Sequence, residues 1–114
     1  MNKVEAIIRP EKLEAVKNAL TEAGFIGMNT VSVTGRGIQR GVIHTGGRGT
    51  QAIEIDMLPK TKVELVVKNE DTDNVCNIIM DAARTGSIGD GKIFVSPVSA
   101  VYRVRTGERD EEAI

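Results

Sequence analysis

The stretch KVEAIIR at Lys3–Arg9 returns as KVELVVK at Lys62–Lys68. The likeness runs past the strands themselves. At the same shift Val16 falls on Val75, Leu20 on Ile79, Ala23 on Ala82 and Gly27 on Gly86. A match of this extent reads as two copies of one supersecondary unit, and it limits the chain to folds that place the same motif twice.

Each copy has the pattern of a strand leading into a helix. KVEAIIR and KVELVVK are short and rich in β-branched residues, as strands are. After the first, Pro10 suits a helix start. Leu13, Val16, Ala19, Leu20 and Ala23 then share one helical face, and Gly24 is a natural stop. In the second copy acids crowd the helix start, where the dipole favours them. There Val75, Ile78, Ile79 and Ala82 form the apolar stripe, with Gly86 closing the helix. A further strand follows each helix: NTVSVTG in the first copy, GKIFVSPVSAVYRVR in the second. The order β-α-β, β-α-β predicts an α+β, ferredoxin-like fold: one domain over residues 1–114, with a four-stranded antiparallel sheet and both helices on one face.

Alternation assigns the faces. Val4, Ala6 and Ile8 point to the helices with Val63, Leu65 and Val67; Lys3, Glu5, Ile7, Arg9, Lys62, Glu64, Val66 and Lys68 point the other way. This second face is charged but not wholly polar. Solvent exposure and a subunit interface with paired charges both fit it. Only Phe25, Phe94 and Tyr102 are aromatic, so the core is aliphatic. The net charge of −1 gives no electrostatic case for a nucleic-acid or membrane-surface binder. The N-terminus has too short an apolar run for a signal peptide, and no long apolar run follows. The expectation is a soluble, cytoplasmic protein.

Between the two copies lies TGRGIQRGVIHTGGRGTQ, Thr34 to Gln51. A long insertion in a small domain is usually functional. The chain then returns through AIEIDMLPK, where Ile53, Ile55 and Met57 alternate with Glu54 and Asp56. The base of the loop therefore has the pattern of a two-stranded ribbon, with a flexible span at about 36–55.

Three segments are candidate anion sites. GSIGDGK, Gly86 to Lys92, matches a P-loop letter for letter. However, it follows a helix and opens a strand, and Ile93 stands where a Mg²⁺-binding hydroxyl is needed. It is read either as backbone amides with Lys92 around a phosphate, or as a tight helix-to-strand turn. GRGIQRG, Gly35 to Gly41, is read either as exposed amides beside Arg36 and Arg40 or as a solvated loop. In YRVRTGERDEEAI, Arg103 and Arg105 fall two apart on an expected strand, where a shared face suits phosphate. An edge strand with a polar tail at about 106–114 is the plainer reading. Cys76 reads as a small, largely buried filler, and a single cysteine excludes an intrachain disulfide. His44 has no second histidine or cysteine near it and reads as a loop residue. No Ser-His-Asp or Cys-His set can be assembled.

Taken in order, VEAIIRPEKLEAVKNAL, GRGIQRG, LPKTKVELVV, ARTGSIGDGKIFVSPV and VRTGE resemble the PII nitrogen-regulatory signalling proteins over essentially the whole chain. TGSIGDGKIFV is the most specific of these signatures. The resemblance implies a homotrimer with a nucleotide site, for ATP or ADP, in each cleft between neighbours. By that resemblance the turn at Gly89, Asp90, Gly91 and Lys92 wraps the phosphates, and Arg103 and Arg105 reach them from the adjacent subunit. Ile7, Gly27, Met28, Gly35 and Glu64 line the rest of the nucleotide site. The resemblance also implies 2-oxoglutarate at the loop base, bridged to ATP through Mg²⁺. Gln39 would help hold the metal, Lys60 would pair with a ligand carboxylate, and amides around Gly37, Arg40 and Gly41 would hold the remainder.

The chain departs from the common family pattern in three ways. GGRGTQ stands where a Tyr-Arg-Gly stretch and a second tyrosine are usual, so uridylylation is not expected. The loop is about two residues longer than the common form. Ile38 replaces an arginine that touches the nucleotide.

The function implied is a non-catalytic sensor acting on a nitrogen-metabolism target through the loop. An ammonium transporter, met by Arg48 at the loop tip, and a nitrogenase or nitrogen-assimilation enzyme are equal candidates, and contact with a membrane would be only indirect, through such a transporter. A phosphate-ester hydrolase on the same fold is the alternative; it requires steady turnover and uses the glycine turn as a transition-state cradle. An RNA-binding module needs stacking aromatics and a basic face, and the chain has neither.

Overall fold

The computed structural model describes residues 1–39 and 54–114, with backbone only at 37–39 and 54–56. Arg40, Gly41, His44 and Arg48, and the side chain of Gln39, lie outside the described residues.

Six elements form the domain: β1 (Asn2–Ile8), α1 (Leu13–Glu22), β2 (Asn29–Gln39), β3 (Glu54–Val67), α2 (Thr72–Ala83) and β4 (Gly91–Pro97). The strands lie in the order β2-β3-β1-β4, with every neighbouring pair antiparallel. This is the expected ferredoxin-like sheet. The repeat reaches finer detail than the strands. Each helix is preceded by one 3₁₀ turn, at Pro10–Lys12 and at Asn69–Asp71.

Val4, Ala6 and Ile8 of β1 and Val63, Leu65 and Val67 of β3 are buried under Val16 and Leu20 of α1 and Val75, Ile79 and Ala83 of α2. Cys76 is half-buried at the margin of this cluster. One face of the sheet is thus sealed by aliphatic packing. The charged residues of the second face are left to pair with one another.

The two helices end differently. At the end of α1, Gly24 takes φ +93°. The Gly24 amide donates to the Thr21 carbonyl at 3.0 Å and the Phe25 amide to the Leu20 carbonyl at 2.9 Å. This is a Schellman cap, and its left-handed residue favours glycine. Helix α2 instead leaves directly into extended backbone at Arg84. Gly86, expected to close α2, lies beyond its end in the following turn, where it has φ +89°.

β2 and β3 stay paired beyond the sheet: Gly35 opposite Leu58, Arg36 opposite Met57, Gly37 opposite Asp56, Ile38 opposite Ile55 and Gln39 opposite Glu54. The ribbon read from the alternation of Ile53 to Met57 is therefore present up to Gln39.

The expectation of a strand through Tyr102–Arg105 is corrected. β4 ends at Pro97, and residues 101–110 close on themselves. Arg103 donates its amide to the Glu108 carbonyl, Gly107 donates to Arg103, and Asp110 donates to Val101. Tyr102 and Arg109 form an isolated bridge, with the Arg109 guanidinium 4.8 Å from the Tyr102 ring centroid. Gly107, at φ +72°, lets the chain reverse where an L side chain would be strained. Arg103 and Arg105 consequently share no strand face. Arg103 is half-buried beside Glu108 at 3.7 Å, and Arg105 is exposed.

Candidate functional site

The candidate residues collect in two groups toward the two ends of the sheet. The first group is built on the connection from α2 to β4. Asp90 organises it. One carboxylate oxygen, Oδ2, accepts the backbone amides of Thr85 at 2.8 Å and Gly86 at 2.9 Å. The other, Oδ1, accepts the Thr85 hydroxyl and the Arg9 Nε at 3.2 Å. The Thr85 hydroxyl, the Thr85 amide, the Gly86 amide and Arg9 together hold the Asp90 carboxyl far below the usual carboxylate range. Arg9 also donates through Nη2 to the Ile88 carbonyl at 2.8 Å.

This wiring winds the turn so that Gly89 and Gly91 sit at φ +103° and +107°. A Cβ on Gly91 would lie 1.7 Å from the Ile7 carbonyl oxygen, so only glycine lets β4 begin its pairing with β1 there. Lys60 of β3 donates its ammonium to the Gly89 carbonyl. Gly35 lies alongside, its absent Cβ 3.2 Å from Lys60 Cγ. Lys92 is exposed and paired in register with Ile7. Gly35, Lys60, Gly89, Asp90, Gly91, Lys92 and Ile7 thus belong to one region, where, among the described side chains, Arg9, Lys60 and Lys92 outnumber the acid Asp90.

The second group lines a cavity of about 860 Å³. Gly27 and Met28 bring the α1–β2 connection to its wall, Glu64 lies on its floor, and Arg103, Glu111 and Ile114 close it from the C-terminal segment. Glu64 Oε2 is buried and accepts no hydrogen bond. Lys3 Nζ at 3.2 Å and Lys62 Nζ at 3.9 Å balance its charge as ion pairs. Glu5 completes the set, 3.4 Å from Lys3 and 3.8 Å from Lys62. Glu64, and after it Glu5, raises the Lys3 ammonium above its ordinary value.

From Lys60 to Glu64 the strand runs four residues, a separation of about 13 Å. One chain therefore presents two half-sites and does not join them. Sequence reasoning missed Arg9 and Thr85 as builders of the turn, and Glu108 as the partner of Arg103. Arg9 is eighty-one positions from Asp90, and no local pattern signals such a contact. Among the described residues, no group of three or more His, Cys, Asp or Glu is placed to hold a metal, and no helix is long and apolar enough to cross a membrane.

A double β-α-β sheet with helices on one face, and a paired ribbon extending its β2–β3 edge, defines the class as ferredoxin-like. Comparison with known proteins narrows it. A family model described as nitrogen regulatory protein P-II matches residues 1–108. The chain is 54% identical over 114 residues to a nitrogen regulatory protein P-II of Methanothermobacter thermautotrophicus, covering 100% of this chain and 97% of the relative. It is 52% identical to that of Synechocystis, with both chains covered in full. Among solved structures it is similar to Arabidopsis thaliana PII bound to citrate, with TM-score 0.80 and 43% identity over 99% of this chain and 91% of the other. The chain belongs to the P-II nitrogen regulatory protein family, a family of signal-transduction regulators.

Proposed function

We propose that the protein is a non-catalytic sensor of nitrogen and energy status. It binds ATP or ADP competitively and, with Mg-ATP, 2-oxoglutarate. The observation that carries this reading is the Lys60 ammonium held on the Gly89 carbonyl. It ties the glycine turn, which has the donors for phosphate, to the strand that leads into the loop. An anion arriving at Gly89–Lys92 meets the backbone of the glycine turn and the Lys92 ammonium, and any ligand carboxylate that draws Lys60 away acts directly on the root of the β2–β3 ribbon. Ligand state then biases loop geometry, as a differential contact must.

The two half-sites support assembly of copies. In a homotrimer, the turn of one subunit would face the Gly27, Met28, Glu64 and Arg103 wall of its neighbour, with Arg105 at the rim. Ile7 and Gly35 would flank the nucleoside. Mg²⁺ fits this donor set. It takes hard oxygen ligands and shares them with substrate phosphates, so the amide oxygen of Gln39 would be its protein ligand, with the amides of Gly37, Arg40 and Gly41 for the 2-oxo acid. Bound Mg²⁺ would supply charge neutralisation between the two anionic ligands. The citrate in the Arabidopsis relative supports a carboxylate ligand. The loop, with Arg48 at its tip, would carry the signal to a cytoplasmic target of nitrogen metabolism, either an ammonium transporter or a nitrogenase or assimilation enzyme.

Calorimetric titration of 2-oxoglutarate tests the reading. Binding in the presence of Mg-ATP, and binding at least tenfold weaker with ADP, is the expected result. Equal affinity with either nucleotide would break the bridge, and sustained ATP turnover would favour a hydrolase.

A further inference from the structure

The resemblance places Asp90 among the residues that wrap phosphate. Its chemistry in this structure is at odds with direct contact, because a carboxylate beside a phosphate repels it. Both Asp90 oxygens are instead engaged within the protein: Oδ2 by the Thr85 and Gly86 amides, and Oδ1 by the Thr85 hydroxyl and Arg9 Nε. Arg9 spans the turn as a fork. Nε holds Asp90 while Nη2 holds the Ile88 carbonyl. The position a Gly89 Cβ would take lies 3.1 Å from the same Nη2. The guanidinium is therefore packed against the turn's backbone, and glycine is what admits it.

We propose that Arg9 and Asp90 are positioning residues for the anion-binding turn. Their pairing sets the Gly89–Gly91 backbone in its left-handed path, leaves its amides for the ligand, and keeps the Asp90 carboxylate turned into the protein. Arg9 cancels the charge of Asp90, so the turn can contain an acid and still accept an anion. Lys60 and Lys92 then remain as uncancelled cations. The inference deepens the nucleotide reading above and rests on it.

The test measures ATP and adenosine binding to the wild-type protein and to Asp90→Asn, Arg9→Gln, Arg9→Lys and Thr85→Val. Asp90→Asn removes a negative charge. If Asp90 stood beside the phosphates, ATP would bind more tightly; the positioning role predicts a loss of at least tenfold. Adenosine has no phosphate and keeps its wild-type affinity in every variant. Arg9→Lys retains the charge but not the fork, and does not restore the loss seen in Arg9→Gln. The double variant Arg9→Gln/Asp90→Asn loses no more than the worse single change, because the two act as a unit. Thr85→Val changes no charge, and serves as the milder probe with a several-fold loss.

Amide NMR spectra report the turn independently. The Thr85 and Gly86 amides lose their carboxylate acceptor in Asp90→Asn, and their resonances move while those of the β1 core stay in place. Tighter ATP binding in Asp90→Asn, unchanged ATP affinity across the variants, or equal losses for ATP and adenosine would each overturn the proposal and leave the nucleotide reading standing. Failure of the wild-type protein to bind ATP would overturn both.

Discussion

A Cβ placed on Gly91 would fall 1.7 Å from the Ile7 carbonyl oxygen, so no side chain fits at this position. Gly91 opens β4, and its φ of +107° is also one that L residues rarely adopt. Close approach and backbone sign thus make the same demand. Gly91→Ala should cost at least about 2 kcal/mol of stability, from strain and the displacement of β4 from β1. Urea unfolding measures it; a midpoint within error of the wild type would remove Gly91 as the hinge of the turn.

Gly24 and Gly27 separate backbone demand from space. A Cβ at either meets nothing within 4 Å, but only Gly24 has a positive φ. Gly24→Ala should cost about 1–2 kcal/mol, the left-handed penalty of a Schellman cap. Gly27→Ala should stay within about 0.5 kcal/mol. On the proposed nucleotide reading, Gly27→Val should nonetheless weaken ATP binding, since Gly27 lines the cavity. Equal stability losses for the two alanine variants would contradict the cap.

Acid should act through Asp90. Its folded carboxyl titrates well below the ordinary value because of Thr85, Gly86 and Arg9. A depressed folded value means the stabilisation is complete above the ordinary aspartate range, near pH 4, and is lost as pH falls from there toward the folded value. Thr85→Val removes the largest contributor, so its stability should decline less steeply between about pH 4 and pH 2 than that of the wild type. Unfolding curves taken across that window decide it, and parallel slopes would refute the assignment.

The Lys3–Glu64 contact sits on a face that solvent partly reaches. Lys3→Met leaves the buried Glu64 oxygen with Lys62 alone, 3.9 Å away. With Lys3 38% exposed, solvent screening keeps the loss of stability small. The raised Lys3 ammonium stabilises the fold fully below its ordinary value and ceases to do so as pH rises through the folded value. Wild type and Lys3→Met should therefore converge in stability only at strongly alkaline pH. A constant difference through pH 11 would argue against this ion pair.

The sequence made the sheet legible because periodicity is a local signal. Val4, Ala6 and Ile8, with Val63, Leu65 and Val67, had to share a face, and their repeat at one shift located both helices; the 3₁₀ turn before each was not read from it. The β2–β3 ribbon, described from Glu54 onward, followed from the same alternation. The C-terminal segment was misread because YRVR alternates like a strand, yet its hydrogen bonds go to Glu108, Gly107 and Asp110 in its own turn. The turn at Gly86–Lys92 was visible as glycines and a lysine. What winds it was not: Arg9 meets Asp90 only after β1 and β4 pair, and that pairing depends on the whole repeat.

The ladder between β2 and β3 is unbroken from Asn29 opposite Glu64 to Gln39 opposite Glu54. It runs from Glu64, at the cavity, to Gln39 and Glu54, the last described pair. A pleated pair cannot slip by one residue without turning every side chain over. A displacement imposed at Glu64 must therefore be absorbed as bend or twist, or emerge at Gln39 and Glu54. Communication between the two ends would then need no relay of side chains, only the stiffness of eleven residue pairs.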